Sequence, residues 1–196
     1  MKFVFKRSQQ AAIALVFCLL TFLYGCGDTQ GGDRVSQNPT RPTAQAILIG
    51  TEDPSKILGE VNLVQTPEGL QITAQVQQAP SGRHGFHIHE NGSCEENGNA
   101  AGGHFNPNGV KHGFIVEDGF EAAHAGDLGN IEIAEDGRGS LSYTISGLTL
   151  SETQTEGQYG IGDRAFILHA DPDDFGQPTG NAGGRIGCGT IQISQS

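Results

Sequence analysis

Tryptophan is absent from the 196 residues and methionine occurs only at position 1, so the core has to be built from valine, isoleucine, leucine and phenylalanine. Nowhere does an apolar run reach the about 20 residues that a membrane-spanning helix needs. Residues 11–23 come nearest, a run of 13 in which Thr21 is the only polar side chain. Beyond it no apolar stripe at helical spacing extends over about a dozen residues, which excludes a helical bundle. Lysine is scarce too: after Lys2 and Lys6 only Lys56 and Lys111 remain. With a formal charge of −11 and no polybasic patch, the chain is repelled by nucleic acid.

What is present begins with a targeting segment. Lys2, Lys6 and Arg7 precede the apolar run, as in a signal peptide. The run leads into Leu23-Tyr24-Gly25-Cys26, which resembles the lipobox of bacterial lipoproteins, where a cysteine after a small residue becomes lipidated and N-terminal. The expected organisation is a leader over 1–25, a polar proline-containing tether over 26–43, and one domain over 44–196. Cys26 is the expected lipid anchor, and the expected location is the periplasm or cell envelope. Removing residues 1–25 takes away three cations and no anions, moving the charge from −11 to −14. Of the four cysteines, Cys18 lies in the leader and Cys26 at its end. Cys94 and Cys188 remain, and one pair in an exported domain implies one disulfide.

Thirty glycines and eight prolines call for many turns, which favours short strands. Within the domain the period is two. Ile72, Ala74 and Val76 alternate with Gln71, Thr73 and Gln75; Leu141, Tyr143 and Ile145 alternate with Ser140, Ser142 and Thr144. Each pattern describes a strand with one buried face. Pro67-Glu68-Gly69 and Asp136-Gly137 are hairpin signals. Further strands are expected at 46–50, 59–64, 85–89, 131–133, 164–169 and 185–193. The total is about eight, an all-β fold closed as an antiparallel barrel or sandwich with long glycine-rich loops.

Seven histidines lie in this domain, and six follow a metal-binding grammar. His87 and His89, two apart on a strand, project from one face, while Phe86 and Ile88 point the other way. His104, His112, His124, Asp127 and His169 follow in order. Neutral imidazoles suit copper and zinc, and a carboxylate joined to three imidazoles suits zinc more than copper. The segments GFHIHE (85–90), AGGHFNP (101–107), KH (111–112), HAGDLGN (124–130) and GNAGGRIGCG (180–189) together resemble the copper–zinc superoxide dismutase family, over roughly 150 residues.

The resemblance implies an eight-stranded Greek-key barrel that converts superoxide to dioxygen and hydrogen peroxide. It implies copper on His87, His89, His104 and His169, and zinc on His104, His112, His124 and Asp127, with His104 as the bridging imidazolate. It further implies that Asp173 orients one ligand of each metal, that Cys94 and Cys188 pair, and that Arg185 and Thr179 flank a channel to copper. His84 matches a structural position. A homodimer is compatible with it. A non-catalytic copper-binding or delivery domain of the same fold would have lost the bridge, a copper ligand or the channel arginine; His104, His169 and Arg185 are all present. A purely structural surface lipoprotein would have no reason to place six histidines and an aspartate in this order. The glycines of 180–189 lack the Gly-Lys-Ser/Thr ending of a phosphate cradle, and Asp171–Gly176 lacks the closing glutamate of a calcium loop.

Overall fold

The computed structural model describes residues 41–155 and 157–194; the expected leader, Cys26 and the tether as far as residue 40 lie outside them. In chain order the strands are β1 (Thr43–Gly50), β2 (Ile57–Thr66), β3 (Gly69–Val76), β4 (Gly82–His89), β5 (Asp127–Ile133) and β6 (Gly139–Ile145). Two-residue strands β7 (Leu148–Thr149) and β8 (Tyr159–Gly160) follow, then β9 (Ala165–His169), β10 (Arg185–Thr190) and β11 (Gln192–Ile193). One short helix, α1 (Ile115–Asp118), interrupts the connection from β4 to β5. Among the described residues no helix is long and apolar enough to cross a membrane.

The neighbours run β1-β2-β3-β6-β5-β4-β9-β10, and β10 pairs back onto β1 with Ile49 opposite Cys188. β11 continues β10 beyond Ile191 and pairs with the start of β1, Ala44 opposite Ile193. Counting that interrupted strand once gives an eight-stranded antiparallel barrel. From β3 the chain passes to β4 by skipping β6 and β5, which is the Greek-key crossing. Closure removes the unpaired edges that an open sheet would present.

The alternation read from the sequence decides which faces close on the core. Ile72, Ala74 and Val76 are buried while Gln71 and Gln75 are exposed; Leu141 and Ile145 are buried while Ser140 and Ser142 are exposed. The turn after β2 is tied by Thr66 Oγ1 donating to the Gly69 carbonyl at 2.9 Å. The turn before β6 uses Gly137 at φ +79°, and Asp136 Oδ1 accepts the Arg138 N–H at 3.0 Å. Inside the barrel Phe86 stacks on Phe166 with centroids 5.4 Å apart, among Leu48, Leu63, Ile72 and Leu128. β4 is buried on both faces from His84 to His89. Phe86 and Ile88 belong to the core, leaving His87 and His89 on the outer face under the long loops. β1 begins at Thr43, one residue inside the expected tether.

Candidate metal centre

Two adjacent strands and one loop build the first cluster. β4 carries His87 and His89, and β9 beside it ends in His169. His104 pairs with His89 as an isolated bridge. One nitrogen from each of these four buried histidines lies within 4.8 Å of the others. The His89 Nδ1 donates to the Gly102 carbonyl at 3.0 Å, and the His169 Nδ1 to the Gly183 carbonyl at 3.3 Å. A neutral imidazole that donates through one nitrogen keeps a lone pair on the other. The two Nε2 atoms so left bare face each other at 3.3 Å. Burial, with the neighbouring charges of His104 and Arg185 added, pushes His89 down to about 2. Burial and the nearby His87 push His169 down to about 3. At neutral pH no proton separates these lone pairs, and a cation is the natural partner for both.

The second cluster gathers His104, His112, His124 and Asp127 around the start of β5, again with donor atoms within 4.8 Å. Asp127 is fully buried; its Oδ1 lies 2.8 Å from His104 Nδ1 and 3.1 Å from His124 Nδ1. Its Oδ2 accepts the backbone N–H groups of Gly113 and His124, both at 2.9 Å. Burial alone would raise the Asp127 carboxyl, but the three imidazoles and the Gly113 N–H hold it well below the usual carboxylate range. His112 Nδ1 is 2.9 Å from Asp127 Oδ2, yet neither it nor His124 Nδ1 is aligned for a hydrogen bond. With His87 Nδ1 these are the buried ring nitrogens that lack a partner among the described residues. Unpartnered buried nitrogens are costly, and here they turn toward shared points rather than at random. Four imidazoles fit copper and three imidazoles with a carboxylate fit zinc, so the residues present suit both ions.

Asp173 joins the clusters from behind. It accepts from His87 Nε2 at 2.8 Å and from His112 Nε2 at 3.0 Å. Burial works against its ionisation, but the bonds from His112, His87 and the Phe175 N–H hold it well below its ordinary value. Burial likewise pulls His112 down, yet the two nearby carboxylates, Asp127 and Asp173, prevail and carry it up to about 9. In His104 burial wins over Asp127 and lowers it to about 4. Gly180 passes so close that a Cβ would overlap the Asp173 carboxylate and sit 2.7 Å from His112 Nε2, at φ +75°.

An opening of about 210 Å³ reaches the first cluster, lined by His89, His104, His169, Thr179, Asn181 and Arg185 among others. Arg185 is fixed there by donating to the carbonyls of Gly98 at 2.5 Å and Gly102 at 2.6 Å. A larger groove of about 960 Å³ lies on the outer barrel wall between Ile47 and Ser142. It contains no histidine or cysteine, so the chemistry belongs to the smaller opening. Cys94 and Cys188 form a disulfide. His84 lies outside both clusters, its Nδ1 2.9 Å from the His169 carbonyl and its Nε2 3.0 Å from that of Pro80.

Among the described residues, the candidate histidines, Asp127, Asp173, Thr179 and Arg185 lie in the two clusters, bond to them or line the opening, while Cys94 and Cys188 pair with each other beside Ala101 and Ile167. Three contributors were not singled out from sequence. Asn130 brackets Asp173, donating to its carbonyl at 2.9 Å and accepting its N–H at 2.7 Å; it stood at the end of HAGDLGN and could have been found there. The Arg164 guanidinium lies 3.8 Å over the Phe105 ring, beside His104, and donates to the Glu90 carbonyl. Gln177 bonds the backbone of His112. Neither Arg164 nor Gln177 carries a local sequence signal.

Residues 57–191 match the family model of copper/zinc superoxide dismutase. An extracellular superoxide dismutase [Cu-Zn] of Haemonchus contortus is 40% identical over 148 residues, 72% of this chain and 76% of that protein. Its counterpart in Caenorhabditis elegans is 37% identical over 145 residues, 70% of this chain and 62% of the relative. A crystal structure of a SOD-like protein from Bacillus subtilis superposes with a TM-score of 0.62 at 33% identity, covering 74% of this chain and 96% of that one. With two fused donor sets on a Greek-key barrel, the chain belongs to the copper/zinc superoxide dismutase family, as an oxidoreductase acting on superoxide with copper and zinc as cofactors.

Proposed function

We propose that His87, His89, His104 and His169 hold copper, that His104, His112, His124 and Asp127 hold zinc, and that His104 bridges them through its two ring nitrogens. One observation carries this reading: His104 alone belongs to both donor sets. Its Nδ1 lies 2.8 Å from Asp127, and its ring centroid is 4.1 Å from that of His87. When bound, copper supplies a site that takes one electron and gives it back, while zinc is redox-silent. Overall, two superoxide ions and two protons give one dioxygen and one hydrogen peroxide.

The chain's own residues prepare this conversion. Arg185, held at two loop carbonyls, places a fixed cation at the opening and orients a small anion there. Thr179 lines the same opening. His104 Nε2, the nitrogen turned away from Asp127, is where a proton can be held for delivery to a substrate oxygen. Asp173 fixes the Nε2–H tautomers of His87 and His112, leaving each Nδ1 free to donate its lone pair.

The same reading places the enzyme outside the cytoplasm, in the periplasm or cell envelope, with Cys26 lipidated as a membrane anchor, and it allows a homodimer. The leader-like residues 1–25 and the extracellular relatives support export. The assignment is tested on purified protein by measuring metal content and dismutase activity together. His169→Ala should lose activity by several orders of magnitude and lose copper while keeping zinc. Full activity with copper retained in that variant would refute the copper set.

A further inference from the structure

The loop from Ala170 to Gly184, between β9 and β10, does more than line the opening. It grips one residue of the neighbouring loop, His112, from three directions. The Asp173 carboxylate holds the His112 Nε2 at 3.0 Å. The Phe175 ring stacks on the imidazole, centroids 6.4 Å apart and planes 19° apart. Gln177 takes the backbone: its Oε1 accepts the His112 N–H at 3.1 Å, and its Nε2 donates to the His112 carbonyl at 2.8 Å. Only one orientation of the amide satisfies both bonds, since an N–H needs an acceptor and a carbonyl needs a donor.

His112 needs this help. It lies in a stretch without regular secondary structure, between the short 3₁₀ turn at Asn99–Ala101 and α1. No strand ladder therefore fixes its backbone, in contrast to His87, His89 and His169. Two residues beyond Gln177 in the same loop stands Thr179, which lines the opening to the first cluster together with Arg185. The clamp thus ties a donor of the second cluster to the loop that lines the opening to the first.

We infer that Gln177 is a positioning residue, which holds the His112 donor nitrogen in place through its backbone and thereby slows zinc loss. This rests on the assignment of His112 to zinc. Gln177→Met keeps the length of the side chain and removes both hydrogen bonds; Gln177→Asn keeps the amide but is one methylene short. Zinc release from the metal-loaded protein into a chelator should be about tenfold faster in both variants, the scale found when partners behind metal ligands are removed. The visible bands of cobalt(II) placed in the zinc site should also shift, because a displaced donor changes the ligand field.

Wild type must first take up one zinc that His112→Ala loses. If it does, and both Gln177 variants release zinc at the wild-type rate with the wild-type cobalt spectrum, the inference about Gln177 is wrong and the zinc assignment stands. Faster release with an unchanged cobalt spectrum would also overturn it, since a loosened loop and not a displaced donor would then be responsible. If wild type holds no zinc, or His112→Ala keeps it, the zinc assignment itself falls.

Discussion

Asp127 organises more of the proposed zinc set than any one histidine does. Its two oxygens face Nδ1 of His104, His112 and His124 and also accept two backbone N–H groups, from Gly113 and His124. Removing its charge acts on every partner at once. Asp127→Asn keeps the volume but turns one acceptor into a donor that points at imidazole nitrogens or at an N–H. Zinc affinity should fall by roughly 10- to 100-fold, with copper retained, as measured by chelator competition and metal analysis. Loss of both metals together would mean that His104 cannot keep its place without the carboxylate. His87 and His89 were legible as a pair because strand geometry puts His-x-His on one face, whereas the division of the histidines into two donor sets was legible only through the family resemblance. Gln177 was not, because a side chain that bonds a backbone across 65 positions leaves no pattern of its own.

At the scale of elements, the segment from Cys94 to Gly102 is fastened to β10 at several points. The disulfide joins Cys94 to Cys188 across a separation of 94 residues. Arg185 donates to the carbonyls of Gly98 and Gly102, and is itself tied to the end of β1 by Thr51 Oγ1, which donates to the Arg185 carbonyl at 2.6 Å. A cross-link closing a loop of that length is worth about 4–5 kcal/mol in the chain-entropy account. Cys188→Ser should therefore lower the melting temperature by roughly 10 °C and speed hydrogen exchange at the Gly98 and Gly102 amides. An unchanged melting curve would show that Arg185 and the barrel hold this segment unaided. The strands themselves were readable wherever one face is wet, as in β3 and β6, since burial then imposes period two. β7 and β8 were not: two-residue strands are too short to carry a period. The break at Ile191 was hidden as well, because that residue is buried, as a continuous strand would also require. α1 spans four residues, about one turn, which no helical stripe can announce.

The whole molecule sets the field in which superoxide travels. Residues 26–196 carry −14, and the loop beyond His169 offers Asp171, Asp173 and Asp174 with no lysine before Arg185. Asp173 is buried and bonded to His87 and His112, but Asp171 and Asp174 are exposed. At long range the net charge repels an anion, while Arg185 offers it a cation at the opening. Raising the ionic strength from 0.01 to 0.15 M shortens the Debye length from about 30 Å to about 8 Å. That screens the distant acidic groups more than it screens Arg185, whose charge is close enough to depress both His89 and His169. The dismutation rate should therefore rise or change by less than about twofold over this range, as pulse radiolysis at several salt concentrations would register. A steep fall would mean that attraction from other cations reaches the opening. Arg185→Glu should slow the reaction roughly tenfold or more, since it reverses a charge that lines the opening. Because it also breaks the bonds to Gly98 and Gly102, Arg185→Lys is the control: it keeps the charge and loses the planar fork. If the lysine variant stays near wild type while the glutamate variant collapses, charge guides the anion. If both collapse alike, the work of Arg185 is to hold the loop.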